Sequence, residues 1–444
     1  MFYTLFIRIS QYLCEEGYFT QFLIFVDMRR LLLFVVLAVS ACGRAQKPET
    51  IHELRERVFS LAKVQAVYMD SLLTAQTAGQ DRHVRADQNP SLVRVGSDRP
   101  SEWRCPRTFQ GDTLVTSDIG WWTSGFYPGV LWQIYEQSGD EYFRDLAIKH
   151  TLPLAGLLER ETDHDIGFQL MCSFHRWGEA FFALPQEDII LSANEQEEIL
   201  EAGARKLAAR FVPEAGIIRS WNWGPWNIPV IIDNMMNLEL LLLYGDRKVA
   251  EKHALTTAKN HFREDGTCFH LVDYADDGTV LGRQTVQGYA DDTAWARGQA
   301  WALYGYAKML KEEMTEEKEE LARIFLGVAE KLESWLLDHL PEDGIPYWDF
   351  SQSDYKDASA GAIIACGLLE LHGLRGYPDD DPAFAMAERI LRTLASSEYL
   401  AEPRTNGGFL LKHSVGNLPS GSEVDVPLTY ADYYFLEALS LLPH

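Results

Sequence analysis

Four short segments hold the side chains whose types and spacing could carry chemistry. Asp163-His164-Asp165-Ile166-Gly167-Phe168 sets acidic groups against apolar residues and a glycine, which predicts a carboxylate in a restricted loop. Pro229-Val230-Ile231-Ile232-Asp233-Asn234-Met235-Met236-Asn237 places Asp233 inside an apolar run at the start of a hydrophobic helix, with Asn237 one turn on and on the same face. Two carboxylates in apolar surroundings suit proton transfer, because burial favours the protonated form. A helix N-terminus at Asp233 opposes that effect, and the sequence leaves open which prevails. Taken singly, Asp165 reads equally as a turn residue and Asp233 as a helix cap. In Gln287-Gly288-Tyr289-Ala290-Asp291-Asp292-Thr293-Ala294-Trp295-Ala296-Arg297-Gly298-Gln299-Ala300-Trp301, Arg297 and Trp301 share a helix face. A guanidinium beside an indole could receive a sugar carboxylate and stack its ring. Asp291-Asp292 is read as the cap of this helix rather than a metal pair. Trp121-Trp122-Thr123-Ser124-Gly125-Phe126 is an aromatic platform before a helix, open between core and ligand wall. The nucleophile-elbow, phosphate-loop and HExxH patterns are absent.

Periodic apolar patterning predicts the elements that must position these groups. Helices are expected near 51–75, 125–138, 141–159, 194–211, 232–244, 247–262, 292–311, 317–339, 356–373, 382–397 and 430–442. Ser192-Ala193-Asn194-Glu195 has the form of a capping box. Strand signals are few, the clearest around Thr279–Gln287. The run Leu238-Glu239-Leu240-Leu241-Leu242-Leu243 is apolar on more than one face, so its helix belongs to an inner layer covered by an outer one. Helix hairpins with that division predict an all-α toroid, an (α/α) barrel with a central pocket. No fixed-period repeat supports a superhelical array.

Composition narrows the partners. The 444 residues carry a formal charge of −25, which argues against nucleic acid. It leaves room for an acidic small molecule, since one or two arginines in a pocket override the global field. Twelve Trp and 19 Tyr, many beside turn residues as in Trp221-Asn222-Trp223-Gly224-Pro225-Trp226, suit sugar binding. Met28-Arg29-Arg30, the apolar run Leu31–Val39 and Ser40-Ala41-Cys42-Gly43 read as a secretory signal over 28–41 with a bacterial lipobox. The expectation is an exported lipoprotein with its lipid on Cys42, held in the periplasm at the outer membrane through that lipid alone. Residues 1–27 read as an upstream extension, 42–50 as a tether and 51–444 as one catalytic domain. Cys105, Cys172, Cys268 and Cys366 lack metal-site spacing, so zinc is not expected.

Taken in order, the segments resemble glycoside hydrolase family 88, the unsaturated glucuronyl hydrolases. The likeness runs from about residue 115 to the C-terminus. It includes Asp357-Ala358-Ser359-Ala360-Gly361-Ala362, Glu423-Val424-Asp425-Val426-Pro427-Leu428 and Tyr430-Ala431-Asp432-Tyr433-Tyr434. The resemblance implies an (α/α)6 barrel and a small acidic oligosaccharide substrate. That substrate is a chondroitin, hyaluronan or heparin fragment with a 4,5-unsaturated uronic acid at its non-reducing end. It further implies hydration of a vinyl ether without metal or cofactor. Asp233 matches the general acid/base, and Asp165 its partner on the ring hydroxyls. Gln287, Arg297 and Trp301 match substrate-binding positions, with Trp122, His164 and His270 as pocket walls. Two alternatives remain: the sister unsaturated rhamnogalacturonyl hydrolases, which act on pectin fragments, and a non-catalytic glycan-binding lipoprotein.

Overall fold

The computed structural model describes residues 49–78, 103–180, 190–313 and 318–443. The lipobox cysteine Cys42 and the segment before it lie outside the described residues. Residues 51–443 belong to one compact unit.

Two kinds of helix alternate along the chain. Helix α1 (Ile51–Ala78) buries Leu54, Val58, Ala62, Ala66, Met69 and Leu73 along one stripe and leaves much of its other side in solvent, as an outer helix must. Helix α10 (Ala358–Leu374) is buried at nearly every position, which only an inner position allows. Between them the order is α2 (Phe126–Ser138, inner), α3 (Glu141–Thr151, outer), α4 (166–180, inner), α5 (Ala193–Ala208, outer), α6 (Leu238–Tyr244, inner), α7 (Arg247–Asn260, outer), α8 (Ala296–Glu313, inner) and α9 (Glu319–His339, outer). After α10 come α11 (Pro382–Leu394, outer) and α12 (Thr429–Leu441, inner). Inner helices pack in the closed cycle α2, α4, α6, α8, α10, α12 and back to α2. Among the described residues this is the expected (α/α)6 toroid. Because each outer helix returns the chain, the six inner helices run parallel and their N-termini gather at one mouth.

Several expected boundaries held, and others moved for identifiable reasons. The capping box at Ser192 and Glu195 opens α5 as read. The helix expected over 141–159 breaks at Thr151, because Pro153 cannot donate and the chain continues as a 3-10 run, Leu152–Glu159. Helix α8 begins at Ala296 and not near 292, and Asp291 does not cap it. The Asp291 carboxylate instead accepts the Thr285 N–H at 2.8 Å and closes the preceding loop. Helix α4 lies where the sequence predicts a restricted loop and no helix. It comprises Ile166–Leu170, a π turn Met171–His175 and Arg176–Ala180.

Short antiparallel strands fill the connections. β1 (Cys105–Gln110) and β2 (Thr113–Ser117) form a hairpin whose central Gly111 and Asp112 both have positive φ, the geometry a two-residue turn requires. β3 (Phe211–Val212) pairs with β4 (Ile217–Ile218). β5 (Ile228–Ile231), β6 (Leu271–Tyr274) and β7 (Val280–Gln284) make a three-stranded sheet, of which only the last strand was expected. β8 (Ser414–Asn417) pairs with β9 (Ser422–Val426). Cys105, Cys172, Cys268 and Cys366 are buried and unpaired. Among the described residues no helix is long and apolar enough to cross a membrane.

The inner ring is tight enough that glycine is structural. A Cβ at Gly129 of α2 would strike the Cys172 carbonyl in the α4 π turn and the Tyr433 ring of α12, the latter at 2.5 Å. Gly129→Ala is therefore expected to destabilise the protein by about 1–3 kcal/mol in thermal or denaturant unfolding. Gly327→Ala on outer helix α9, where a Cβ meets nothing within 4 Å, should stabilise it slightly. Equal effects of the two would contradict this packing.

Candidate active site

Asp233 reaches the mouth from strand β5. All four β5 residues are buried, and the chain leaves the sheet into a 3-10 turn, Ile232–Asn237, that feeds α6. The Ile232 N–H donates to the His270 carbonyl at 2.9 Å and fixes that exit. Asp233 is 8% exposed, and its Oδ2 has no hydrogen-bond partner. His270 Nε2 lies 3.8 Å from that oxygen. His270 Nδ1 accepts the backbone N–H of Val286 at 3.0 Å and of Gln287 at 3.3 Å, so the ring proton resides on Nε2, facing Asp233. Burial pushes the His270 imidazole down to about 3, which keeps it neutral. Burial also pushes the Asp233 carboxyl up to about 7, against the Arg297 charge and the Trp301 indole N–H, both of which favour the anion. At Asp233, then, burial prevails over the positive surroundings.

Asp165 stands at the first position before α4, with no side-chain bond to the helix backbone. The preceding His164 is buried, and its N–H donates to the Ser220 carbonyl at 3.1 Å. His164 Nε2 lies 3.5 Å from Asp165 Oδ1. Burial lowers the His164 imidazole to about 4, so this ring is neutral too. Asn237, at the end of the 3-10 turn that carries Asp233, accepts the Phe168 N–H at 2.8 Å and turns its amide nitrogen toward His164 Nδ1 at 3.5 Å. Burial, then the charge of Asp233, pushes the Asp165 carboxyl up to about 8, while Asn237 and Arg210 act the other way. Two largely buried carboxyls coupled in this way titrate as a pair, and this pair retains a proton near neutrality.

Of the other candidate residues, Arg297 and Trp301 act on Asp233, Gln287 adjoins His270 and Trp122 packs on Phe168. Arg297 and Trp301 have tasks other than those expected. Trp122 stands edge-on to Phe126 and Phe168 and against Tyr430, leaving part of its indole open. Gln287 donates its side-chain amide to the Gly416 carbonyl at 3.1 Å. Arg297 is buried and not presented as a free fork. It donates to Asp357 at 3.2 Å, to the Val415 carbonyl and to the Gly416 carbonyl at 2.5 Å, so it clamps the β8–β9 hairpin over the mouth. Trp301 is 0% exposed against Phe168 and Tyr434, so it floors the site rather than stacking openly. Asp357 opens the Asp357–Ala362 segment. It caps α10 through Ser359, accepts the Val415 N–H at 3.3 Å and pairs with Arg297. Its Asp-x-Ser pattern ahead of an apolar run was the available signal. Among the described residues no three His, Cys, Asp or Glu side chains converge as a metal site.

A helical toroid with a proton-holding carboxylate pair beneath aromatic walls defines a carbohydrate-active hydrolase of the six-hairpin class. Comparison with known proteins narrows the class. No protein-family model matches the chain. It is 39% identical over 334 residues to an unsaturated glucuronyl hydrolase of Formosa agariphila, covering 72% of this chain and 79% of that one. An unsaturated chondroitin disaccharide hydrolase of Streptococcus pyogenes is 32% identical over 341 residues, covering 72% of this chain and 80% of the relative. A crystal structure of an unsaturated glucuronyl hydrolase specific for heparin superposes with a TM-score of 0.70 at 38% identity, covering 86% of this chain and 96% of that one. The chain belongs to the unsaturated glucuronyl hydrolases, a family of glycoside hydrolases.

The raised pKa of Asp165 has a stability consequence. Its ordinary value of 3.8 applies in the unfolded chain and about 8 in the folded one, so the proton is held more tightly when folded. That contribution is complete below pH 3.8 and is lost as pH climbs through about 8. Asp165→Asn removes the loss. Its gain in melting temperature over the parent protein should therefore grow from pH 5 to pH 9, and a gap constant across that range would contradict the assignment.

Proposed function

We propose that this protein hydrates the C4=C5 double bond of the unsaturated uronic acid at the non-reducing end of lyase-generated glycosaminoglycan oligosaccharides, and so releases that sugar. The observation that carries the proposal is the pair Asp233, buried, and Asp165, largely buried, both with raised pKa values and flanked by two neutral histidines. The named activities of its relatives on heparin and chondroitin fragments support the substrate class.

Protonated Asp233 gives its proton to C4 of the vinyl ether, and the double-bond electrons form the new C–H bond. Positive charge develops at C5 and is shared with the ring oxygen. Asp233, now an anion, takes a proton from water as the water oxygen bonds to C5. The hemiketal rearranges and releases the next sugar, with one water consumed and the acid regenerated. Asp165 holds ring hydroxyls, and its own charge state sets how firmly Asp233 keeps its proton. His270 Nε2–H faces the carboxyl that must become negative, a donor that strengthens as charge appears. The substrate carboxylate meets a mouth built from six inner-helix N-termini, whose dipoles favour anions. That local field acts against the −25 formal charge of the whole chain.

The proposal also places the enzyme outside the cytoplasm, held by a lipid on Cys42, on the strength of the Met28–Gly43 pattern. Cys42→Ala should move the protein from the membrane to the soluble fraction; an unchanged distribution would remove the anchor from the proposal. For the chemistry, unsaturated disaccharides from chondroitin, hyaluronan, heparin and pectin would be followed by loss of ultraviolet absorbance. Turnover is expected on a glycosaminoglycan product, and Asp233→Asn should lower kcat by about 10²–10⁴-fold. Because the donor must be protonated, kcat should fall as pH rises through about 7. Turnover confined to the pectin product would transfer the protein to the sister activity, and undiminished turnover by Asp233→Asn would overturn the mechanism.

A further inference from the structure

The segment Trp221–Trp226 precedes β5 and takes no part in the proton chemistry. The rings of Trp221 and Trp223 stack face to face, with centroids 4.8 Å apart and planes at 14°. Trp226 stands edge-on to both, at 5.8 and 6.4 Å. Trp223 is nevertheless 42% exposed. The exposed part of this indole is an apolar face that a flat ligand could cover.

The cluster is built rather than loose. Trp226 Nε1 donates to Gln284 at 2.8 Å, which ties the segment to β7. Arg210 donates to the carbonyls of Arg219 at 2.8 Å, Thr162 at 2.9 Å and Ser220 at 3.2 Å, and to the Asn222 side chain at 3.4 Å. Gly224 has φ of +90°, and a Cβ there would strike the Trp226 ring at 2.6 Å. The Trp221 indole N–H is buried with no hydrogen-bond partner.

The cluster is also continuous with the site. Trp221 lies 6.4 Å from the His164 ring, and His164 Nε2 lies 3.5 Å from Asp165. A line therefore runs outward from Asp165 through His164 and Trp221 to Trp223. One face of Trp223 rests on Trp221, and its exposed surface lies beyond the stack. A pyranose ring presents a flat patch of C–H bonds that fits such a surface, with its hydroxyls left in water.

We infer that Trp223, backed by Trp221 and Trp226, is a platform for a second sugar on the leaving side, so that the enzyme favours unsaturated oligosaccharides longer than the disaccharide. This rests on the hydrolase reading above. The test compares kcat/KM for an unsaturated disaccharide and tetrasaccharide of the same glycosaminoglycan in the unmodified chain, Trp223→Ala and Trp223→Phe. The parent should favour the tetrasaccharide. Trp223→Ala should lower the tetrasaccharide-to-disaccharide ratio about tenfold through KM, and Trp223→Phe should keep most of it. A parent ratio near one, or a ratio unchanged in Trp223→Ala, would overturn the platform while leaving the hydrolase intact. Absence of turnover on both substrates by the parent would overturn the hydrolase reading, and the platform with it.

Discussion

The bond between Asn237 and the Phe168 N–H holds together two pieces of chain that are far apart in sequence, and the chemistry depends on it. One piece opens α4 and carries Asp165; the other is the 3-10 turn that carries Asp233. They meet so closely that Gly167 has no room for a side chain, since a Cβ there would lie 2.6 Å from the Asn237 Cα. Asn237 satisfies a backbone donor that α4 cannot satisfy within itself at its first turn. The same side chain faces His164 and favours the charged form of Asp165. Packing, helix capping and electrostatics thus converge on one amide.

Charge at the mouth is arranged so that a proton is easily held and readily given. Neutral His164 and His270 leave the carboxyls with neighbours that can donate hydrogen bonds but carry no formal charge. Had either ring been cationic, it would have held its carboxylate deprotonated at neutral pH. The His270 tautomer follows from backbone geometry, because two N–H groups of the 286–287 segment already point at Nδ1. Arg297, the cation that acts on Asp233, is engaged by Asp357 and two carbonyls, which directs its hydrogen bonds away from Asp233 while its field remains.

Most of the toroid could be read from sequence, because outer helices show one apolar stripe and several inner ones are apolar all round. The same property hid α4. Its residues Ile166–Phe174 are buried on every side, and an apolar run with no polar face has no helical period to detect. The short sheets were missed because strands of two to six residues in loops offer little alternation. Asp165 and Asp233 were visible as acids in apolar company. Whether burial or the helix end would set the Asp233 proton depended on how deep it lay, which spacing does not encode. Arg297 and Trp301 were placed at the site but given open roles, since a sequence shows which face a residue occupies and not what already fills it. The partners of Arg297 on the β8–β9 hairpin lie more than a hundred residues away.

A comparison along one segment shows why Asp233 holds a proton near neutrality and its neighbour Glu239 does not. Both are largely buried, and they lie six residues apart on the 3-10 turn and the helix it feeds. Burial raises both. At Glu239, however, Lys308 of α8 sits 3.0 Å away, and its charge more than offsets burial, so the carboxylate stays ionised. Lys308 is itself held protonated by Glu239 and Glu437, and Glu437 accepts the Tyr304 hydroxyl at 2.9 Å. Further from the mouth, then, the inner helices pair buried charges, and such pairing constrains how the helices sit against one another more than it stabilises them. At the mouth, Asp233 Oδ2 is left without a partner. Both parts of the inner ring place carboxyls in largely buried surroundings. The presence or absence of a free cation within reach decides which end is structural and which can move a proton.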